Sequence, residues 1–410
     1  MPDIEADKQT ATDTPVDRGE LTNAFAPLCL GTASRQRQEL TDIALDLAGR
    51  AAGFKRSLPS GTLAALSEIV RSMNCYYSNL IEGHDTHPID IERALNGDYS
   101  TDTRQRNLQC EARVHIKVQQ WIDEGGLQGR ATSVDGLLEL HRRFYEQLPE
   151  DLRWIENLDG QAKTYVEAGQ LRSRDVRVGY HIAISPGALP RFLKRFDAVY
   201  SALGRTDRIL AIAAAHHRLL WIHPFLDGNG RVARLMSHAI VLEVLDTDGL
   251  WSIARGLARR EADYKQLLAA CDQPRRNDLD GRGMLSEEAL AAFSRFFLEL
   301  CVDQVDFMER LMEPSRLRER ILHWAGHEIS SGLPPKARTV LEVLLYRGEL
   351  TRGEVPALLD LSERQARRVV AELLAREAIT STGRRAPLRL HFSARLGAWW
   401  MPGLFPGRRT

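Results

Sequence analysis

Residues 208–234, RILAIAAAHHRLLWI followed by HPFLDGNGRVAR, constrain the fold more than any other part of the chain. The first half has the apolar spacing of a largely buried helix. Pro224 ends that helix, because the residue before a proline is pushed out of the helical region, and extended backbone is expected at His223. Gly228, Asn229 and Gly230 let the chain turn, and a second helix then opens with Arg231 and Arg234. A helix N-terminus carries partial positive charge and unpaired N–H groups, so cations are unwelcome there unless an anion is expected. The two arginines are three apart and share one helix face beside those N–H groups.

The rest of the chain supplies a mainly α frame. It has 410 residues, enough for two or three domains, and its 43% hydrophobic and 27% charged fractions are ordinary for a globular protein. With a net charge of zero, binding to nucleic acid or membrane must come from a local patch. MPDIEADKQTATDTPVD does not read as a signal peptide, and no apolar run has the length of a membrane span. The five cysteines, Cys29, Cys75, Cys110, Cys271 and Cys301, are scattered and odd in number, which fits a reducing cytoplasm. Residues 1–23 are polar and are expected to be a disordered tail. LSEIVRSMNCYYSNLIEG places Leu66, Ile69, Val70, Met73, Tyr77, Leu80 and Ile81 on one stripe, ending at Gly83. EEALAAFSRFFLELCVDQVDFMERLM predicts a long helix, and RVGYHIAISPGALP predicts a short hairpin or flap. These elements make a first unit over 24–328.

ISSGLPP, residues 329–335, reads as a linker, and 336–402 reads as a winged helix-turn-helix. TRGE at Thr351–Glu354 and SERQ at Ser362–Gln365 have capping-box form and mark two helix starts. The helix after Ser362 puts Ala366, Val369, Val370 and Leu373 inward and Arg364, Arg367 and Arg368 outward. AITSTGRRAPLRLHF would form the wing. DNA binding through the arginine-bearing helix and protein binding through a solvated arginine face stand level on this pattern.

Several chemistries fit parts of the glycine loop. The loop makes an anion nest at a helix start, with room for more than one phosphate. Asp227 suits a Mg²⁺ bridging phosphate oxygens, and His223 at the mouth suits a general base. Singly, His223 reads as an ordinary histidine, Asp227-Gly228 as a turn, and the arginines as a solvated face. A metal cluster of His216, His217 and His223 fits no known ligand spacing, and no GK[ST] makes this a Walker loop. NDLDGRGMLSEE is no calcium loop either, since aligning Gly281 with the loop glycine puts Arg276 at the first ligand position.

HPFLDGNGRVAR resembles the active-site motif HPFx(D/E)GNGRxxR of Fic-domain proteins (the Fido family) at every defined position. The resemblance runs from about Leu66 to Met312. It implies a Fic-type helical bundle with a hairpin flap, and AMP transfer from ATP to a Ser, Thr or Tyr hydroxyl of a protein. On that resemblance His223 is the base and Asp227 holds Mg²⁺. Gly228, Asn229, Gly230 and Arg231 hold the α- and β-phosphates, Arg234 the γ-phosphate, and Tyr264 lines the adenine pocket. Phe225 anchors the loop. The flap residues Val178, Gly179, Tyr180, His181 and Ile182 would clamp a target segment by strand pairing. A homodimer is a further implication.

SNLIEG, residues 78–83, resembles the inhibitory motif (S/T)xxxE(G/N) of Fic proteins whose inhibitory helix precedes the core. Glu82 sits at the negative end of a helix, where a carboxylate is disfavoured, and the resemblance pairs it with Arg234. Three readings follow: an autoinhibited protein adenylyltransferase with a regulatory winged helix; a Fic enzyme that uses another nucleotide, or removes AMP with Glu82 orienting a water; and a DNA-binding regulator whose Fic domain senses nucleotide. The intact His223 argues against the last, because a sensor needs no base.

Overall fold

The computed structural model describes residues 14–156 and 163–405. Sixteen α-helices are named among them. The first five are α1 (Arg37–Arg56), α2 (Ser60–Ile81), α3 (Pro88–Leu95), α4 (Thr103–Asp123) and α5 (Val134–Glu146). Two antiparallel hairpins follow, β1 (Trp154–Glu156) with β2 (Lys163–Tyr165), and β3 (Arg177–Val178) with β4 (His181–Ile182). Then come α6 (Leu189–Tyr200), α7 (Arg205–Ile222), α8 (Asn229–Leu245), α9 (Ile253–Arg259), α10 (Glu261–Ala270), α11 (Glu287–Met312), α12 (Pro314–Ile329), α13 (Ala337–Arg347), α14 (Val355–Leu359) and α15 (Glu363–Ala375). The hairpin β5 (Ile379–Thr380) with β6 (Arg389–Leu390) and helix α16 (Ala394–Trp400) complete the order.

Helices α7 and α8 form the centre. Residues 209–219 of α7 are all buried, which suits a helix surrounded on every side rather than one with a solvent face. Ala211, Ala213, Ala214 and Ala215 carry little side-chain bulk, and α8, α11 and α6 all pack around this helix. Helix α4 and helix α5 close the α8 side, and α2 lies across α4 and α9. The chain reverses between α7 and α8 at the glycine loop, so that loop sits at one end of the central pair. The long helix and the flap fall where the sequence pattern put them.

Residues 14–23, expected in a disordered tail, are held as a strap over the turn that follows the flap. Glu20 accepts the Ser185 N–H at 2.8 Å and its hydroxyl at 2.6 Å, Gly187 N–H donates to the Val16 carbonyl, and Arg191 pairs with Asp17. Polar side chains hold this segment where apolar ones are scarce, which composition alone does not reveal. The remainder of that tail, residues 1–13, lies outside the described residues.

The expected linker is also different. Helix α12 buries Leu317, Ile321, Trp324 and Ala325 against α13 and α16, with Trp324 edge-on to Trp400 at 5.3 Å. Residues 330–332 are then a turn inside the C-terminal module, and the helix break at Glu313-Pro314 marks its start. The module has four helices (α12 to α15) followed by the β5–β6 hairpin and α16. Ser362 and Gln365 form the full reciprocal cap of α15. In TRGE only half of the cap forms. The Glu354 carboxylate accepts from Thr351 N–H and hydroxyl, while α14 starts at Val355 with Glu354 as its N-cap.

This module touches the body at α2. A Cβ on Gly61 would lie 2.2 Å from the Gly348 carbonyl oxygen, so the two backbones meet there. The Tyr77 hydroxyl donates to the Leu404 carbonyl at 3.1 Å, and Arg255 donates to the Gly403 carbonyl at 3.0 Å. All five cysteines are free, and among the described residues no helix is long and apolar enough to cross a membrane.

Candidate active site

His223 is the residue after α7, and its backbone is left-handed (φ 50°, ψ 63°) rather than extended. This corrects the expectation from Pro224. The proline excludes the helical region but leaves more than one alternative, and here the His223 N–H still closes on the Leu219 carbonyl at 3.0 Å. The ring faces the Leu220 carbonyl through Nδ1 at 3.3 Å. A carbonyl only accepts, so Nδ1 carries the proton and Nε2 is the proton acceptor. Burial lowers the His223 pKa to about 4, so the ring is neutral at ordinary pH.

Phe225 drives into the core, fully buried, with the His141 ring stacked on it at 4.0 Å and 5°. His141 Nδ1 accepts the Gly169 N–H at 2.9 Å, which leaves Nε2–H facing the Asp227 carbonyl at 3.3 Å. Burial holds His141 neutral, with its pKa lowered to about 4. The Tyr145 hydroxyl donates to Asp227 Oδ2 at 2.6 Å, and burial together with that carboxylate raises its pKa well above the usual value, so it stays a donor. Gly228 has φ +80°, and a Cβ there would lie 2.8 Å from the Tyr145 hydroxyl, so both conformation and space require glycine. The Asn229 side chain turns back on the loop. Its Oδ1 accepts the Phe225 N–H at 3.0 Å and its Nδ2 donates to the Phe225 carbonyl at 2.8 Å. Helix α8 starts at Asn229, so the first-turn N–H groups of Asn229, Gly230 and Arg231 have no intrahelical acceptor.

Both arginines are buried, and each meets a carboxylate. Arg234 Nη2 lies 2.5 Å from Glu82 Oε1, while its Nε donates to the Ser78 hydroxyl at 2.8 Å. Ser78 and Glu82 are four apart and therefore share one face of the end of α2, which explains their spacing. Glu82 is the C-cap of α2, and a third of its side chain remains exposed. Burial alone would raise its pKa, but Arg234 and Arg231 hold it below the usual carboxylate value. A Cβ on Gly230 would lie 2.5 Å from Glu82 Oε1, so the carboxylate lies against the helix start itself. Arg231 Nη2 lies 3.0 Å from Glu111 Oε1 on α4, with the guanidinium 5.2 Å from the Phe144 ring centre. Burial opposes the Arg231 charge, and Glu111, Tyr145, Asp227 and Glu82 together more than offset it, so the Arg231 pKa is raised. Arg231 Nε is buried without a partner among the described residues. Glu111 Oε2 in turn meets His84 Nδ1 at 2.8 Å, which raises the pKa of His84.

Tyr264 is buried behind Arg234, its hydroxyl 2.8 Å from His216 Nε2, and is not on an open surface. His216 and His217 are satisfied by Tyr264, Ser237 and Asp272, and among the described residues no group of three or more His, Cys, Asp and Glu side chains could hold a metal ion. In the flap, Gly179 has φ +58°. Val178, Tyr180 and Ile182 face solvent, Tyr180 fully, while His181 turns inward to the Trp221 carbonyl at 2.8 Å.

Four residues that sequence reasoning missed complete the site: His141, Tyr145, Glu111 and Arg172, whose Nε donates to the His223 carbonyl at 2.7 Å. His141 and Tyr145 are four apart on the buried face of α5 and read as core positions. Glu111 and Arg172 carry no local signal.

The site is a helix N-terminus with a neutral histidine, a carboxylate and two buried arginines around it, set among helices. Residues 131–241 match the model of the Fic/DOC family, and the chain carries a Fic/DOC domain there. Over 194 residues the chain is 28% identical to Protein adenylyltransferase Fic of Nematostella vectensis, covering 45% of this chain and 41% of that one. It is 27% identical over 185 residues to the Drosophila melanogaster protein of that name, covering 45% and 35%. The chain thus spans less than half the length of these curated relatives. Its fold is similar to the crystal structure of a Fic family protein from Desulfovibrio desulfuricans G20, with a TM-score of 0.52 and 17% identity over 89% of this chain and 98% of that one.

Proposed function

We propose that this chain is a protein adenylyltransferase that moves AMP from ATP to a Ser, Thr or Tyr hydroxyl of a protein, and that Glu82 restrains it. The observation that carries this reading is the placement of His223 with Nε2 as its free acceptor, at the loop that leads into the first turn of α8. In the reaction the target hydroxyl loses its proton to His223 Nε2 as its oxygen bonds to the α-phosphorus. The bond to the β-phosphate breaks, and pyrophosphate leaves. The N–H groups of Gly228–Arg231, with Arg231 and Arg234, take the phosphate oxygens and neutralise their charge, which is most of what phosphoryl-group chemistry requires. The buried unpaired Nε of Arg231 supports an incoming anion there.

Asp227 fits Mg²⁺ as a single-carboxylate site, since such ions take one or two protein carboxylates and complete their shell with phosphate oxygens and water. Tyr145 fixes Asp227 through Oδ2, and Oδ1 is the atom the ion would take. When bound, the ion would supply further charge neutralisation on the phosphates. Tyr264 stands behind Arg234 and would bound the nucleotide site from the core side. The exposed flap edge at Val178, Tyr180 and Ile182 is the surface on which a target segment would pair.

A second reading, removal of AMP, draws on the Glu82 carboxylate against Gly230, where it could orient a water. The C-terminal module, read as a winged helix, exposes Arg364, Arg367, Arg368, Arg384 and Arg385 on one helix and its hairpin, which favours nucleic acid as its partner. Duplex DNA retention that falls steeply with salt would support this. The five free cysteines support a cytoplasmic setting, and light scattering reads self-association.

The test is incubation of wild-type, Glu82→Gly and His223→Ala proteins with Mg²⁺ and α-labelled ATP, following label on protein. Label should rise with Glu82→Gly and vanish with His223→Ala. No label in any variant, with ATP still bound, would overturn the transferase reading.

A further inference from the structure

Arg172 is a buried guanidinium that forms no ion pair among the described residues. It is only 3% exposed, and burial lowers its pKa to about 10. Its donors go to backbone carbonyls: Nε to His223 at 2.7 Å, Nη1 to Arg174 at 2.8 Å, and Nη2 to Ile184 at 2.6 Å and Ile222 at 3.5 Å. Its own N–H donates to the Pro224 carbonyl at 3.0 Å. Asp175 and Glu20 favour this charge only from a distance, so the arrangement stands because its many hydrogen bonds offset the desolvation.

The identity of the acceptors makes the residue more than a core polar group. Ile222, His223 and Pro224 are the end of α7 and the start of the glycine loop. Ile184 lies two residues past β4, at the base of the flap. His223 is a non-glycine residue in the left-handed region, a conformation that persists only when its surroundings over-determine it. Its carbonyl points to Arg172, so the rotation of that peptide is fixed by the guanidinium, and with it the direction in which the imidazole leaves the backbone.

We propose that Arg172 is a positioning residue that locks the left-handed backbone of His223 and ties it to the base of the flap, so that the base and the strand-paired target are held at one fixed separation. This rests on the transferase reading above. Arg172 touches neither the nucleotide-binding N–H groups nor Arg231 or Arg234. Its loss therefore acts on the proton-transfer geometry and leaves nucleotide binding alone. Misplacement of a reacting group by about 1 Å costs roughly 100-fold in rate.

The test uses the full chain carrying Glu82→Gly, alone and with Arg172→Gln or Arg172→Lys. Transfer is read as kcat and as KM for ATP, alongside Tm and hydrogen exchange. Arg172→Gln should lower kcat by roughly 10–100-fold with KM for ATP within about twofold. Arg172→Lys, which keeps a donor, should recover part of that loss. Amide exchange in Arg172→Lys should quicken at His223, Phe225 and Ala183 and stay unchanged within α7 and α8. A kcat unchanged in Arg172→Gln overturns the inference. So does a fall in kcat, ATP binding and Tm together, since that marks general loss of structure. If Arg172→Gln does not fold, Arg172→Lys and its exchange pattern decide. If Glu82→Gly alone yields no label, the transferase reading has failed, and unchanged exchange at His223 and Ala183 in Arg172→Lys would separately overturn the positioning role.

Discussion

The two ends of HPFLDGNGRVAR are held in opposite ways. At the histidine end the contacts are backbone hydrogen bonds and neutral rings: Arg172 on the His223 carbonyl, His141 against Phe225, and the Asn229 amide closing the loop. At the arginine end the contacts are charge pairs, Glu82 on Arg234 and Glu111 on Arg231. Backbone bonds of the first kind offer an incoming anion nothing to exchange. On the proposed function, carboxylates of the second kind would be stand-ins for phosphate that a triphosphate displaces. If His223 is the base proposed above, it must keep one geometry throughout turnover, whereas phosphate-binding arginines must change partners. The division of contacts fits that proposed division of labour.

The comparison can be broken in several places. The largest effect is expected from His223→Ala in the Glu82→Gly background. Transfer should fall by roughly 10²–10⁴-fold while the Kd for ATP stays within about twofold, read by label incorporation and calorimetry. Next is Glu82→Gly itself. Removing one partner of a fully buried pair costs about 3–5 kcal/mol, but Glu82 keeps a third of its surface in water, so about 1–2 kcal/mol is the fitting figure. That corresponds to a rise in transfer of roughly 5–30-fold. Glu111→Gln removes the charge but keeps an amide oxygen that can accept from Arg231, so it should act in the same direction and less, with ATP affinity rising about 2–5-fold. A fall in affinity would instead make Glu111 an orienting group for Arg231.

The smallest effect concerns pH. His84 faces Glu111, with Glu82 and Arg231 nearby, and Glu111 raises its pKa. A raised histidine pKa stabilises the fold below the unfolded value of about 6.5, and that stability is lost as pH rises through the folded value. Wild type should therefore lose about 1–2 °C of Tm relative to His84→Gln between pH 6 and pH 8. Parallel Tm curves would show that the His84–Glu111 contact is not proton-linked.

The motif and the periodicity made the helical frame, the flap, the reversal at the glycine loop and the Glu82–Arg234 pair legible. The first three have short-range causes: a helix stripe, a proline, or a run of glycines. The Glu82–Arg234 pair spans 152 positions and was legible only through the resemblance of SNLIEG to the inhibitory motif. What stayed hidden depends on distant segments. Glu111 lies 120 positions from Arg231, and Arg172 lies 51 from His223. Neither has a neighbour in sequence that marks it. The left-handed His223 was missed because the rule for the residue before proline excludes one region without selecting among the rest. The strap at 14–23 was missed because polar composition reads as disorder unless the partners of Glu20 and Asp17 are known.

The most direct test titrates ATP and ADP, each with Mg²⁺, into wild-type and Glu82→Gly proteins by calorimetry. If the arginine end is occupied by an exchangeable carboxylate on Arg234, the substitution should tighten ATP by about tenfold and ADP by less than about twofold. Equal tightening of both nucleotides, or of neither, would contradict the account.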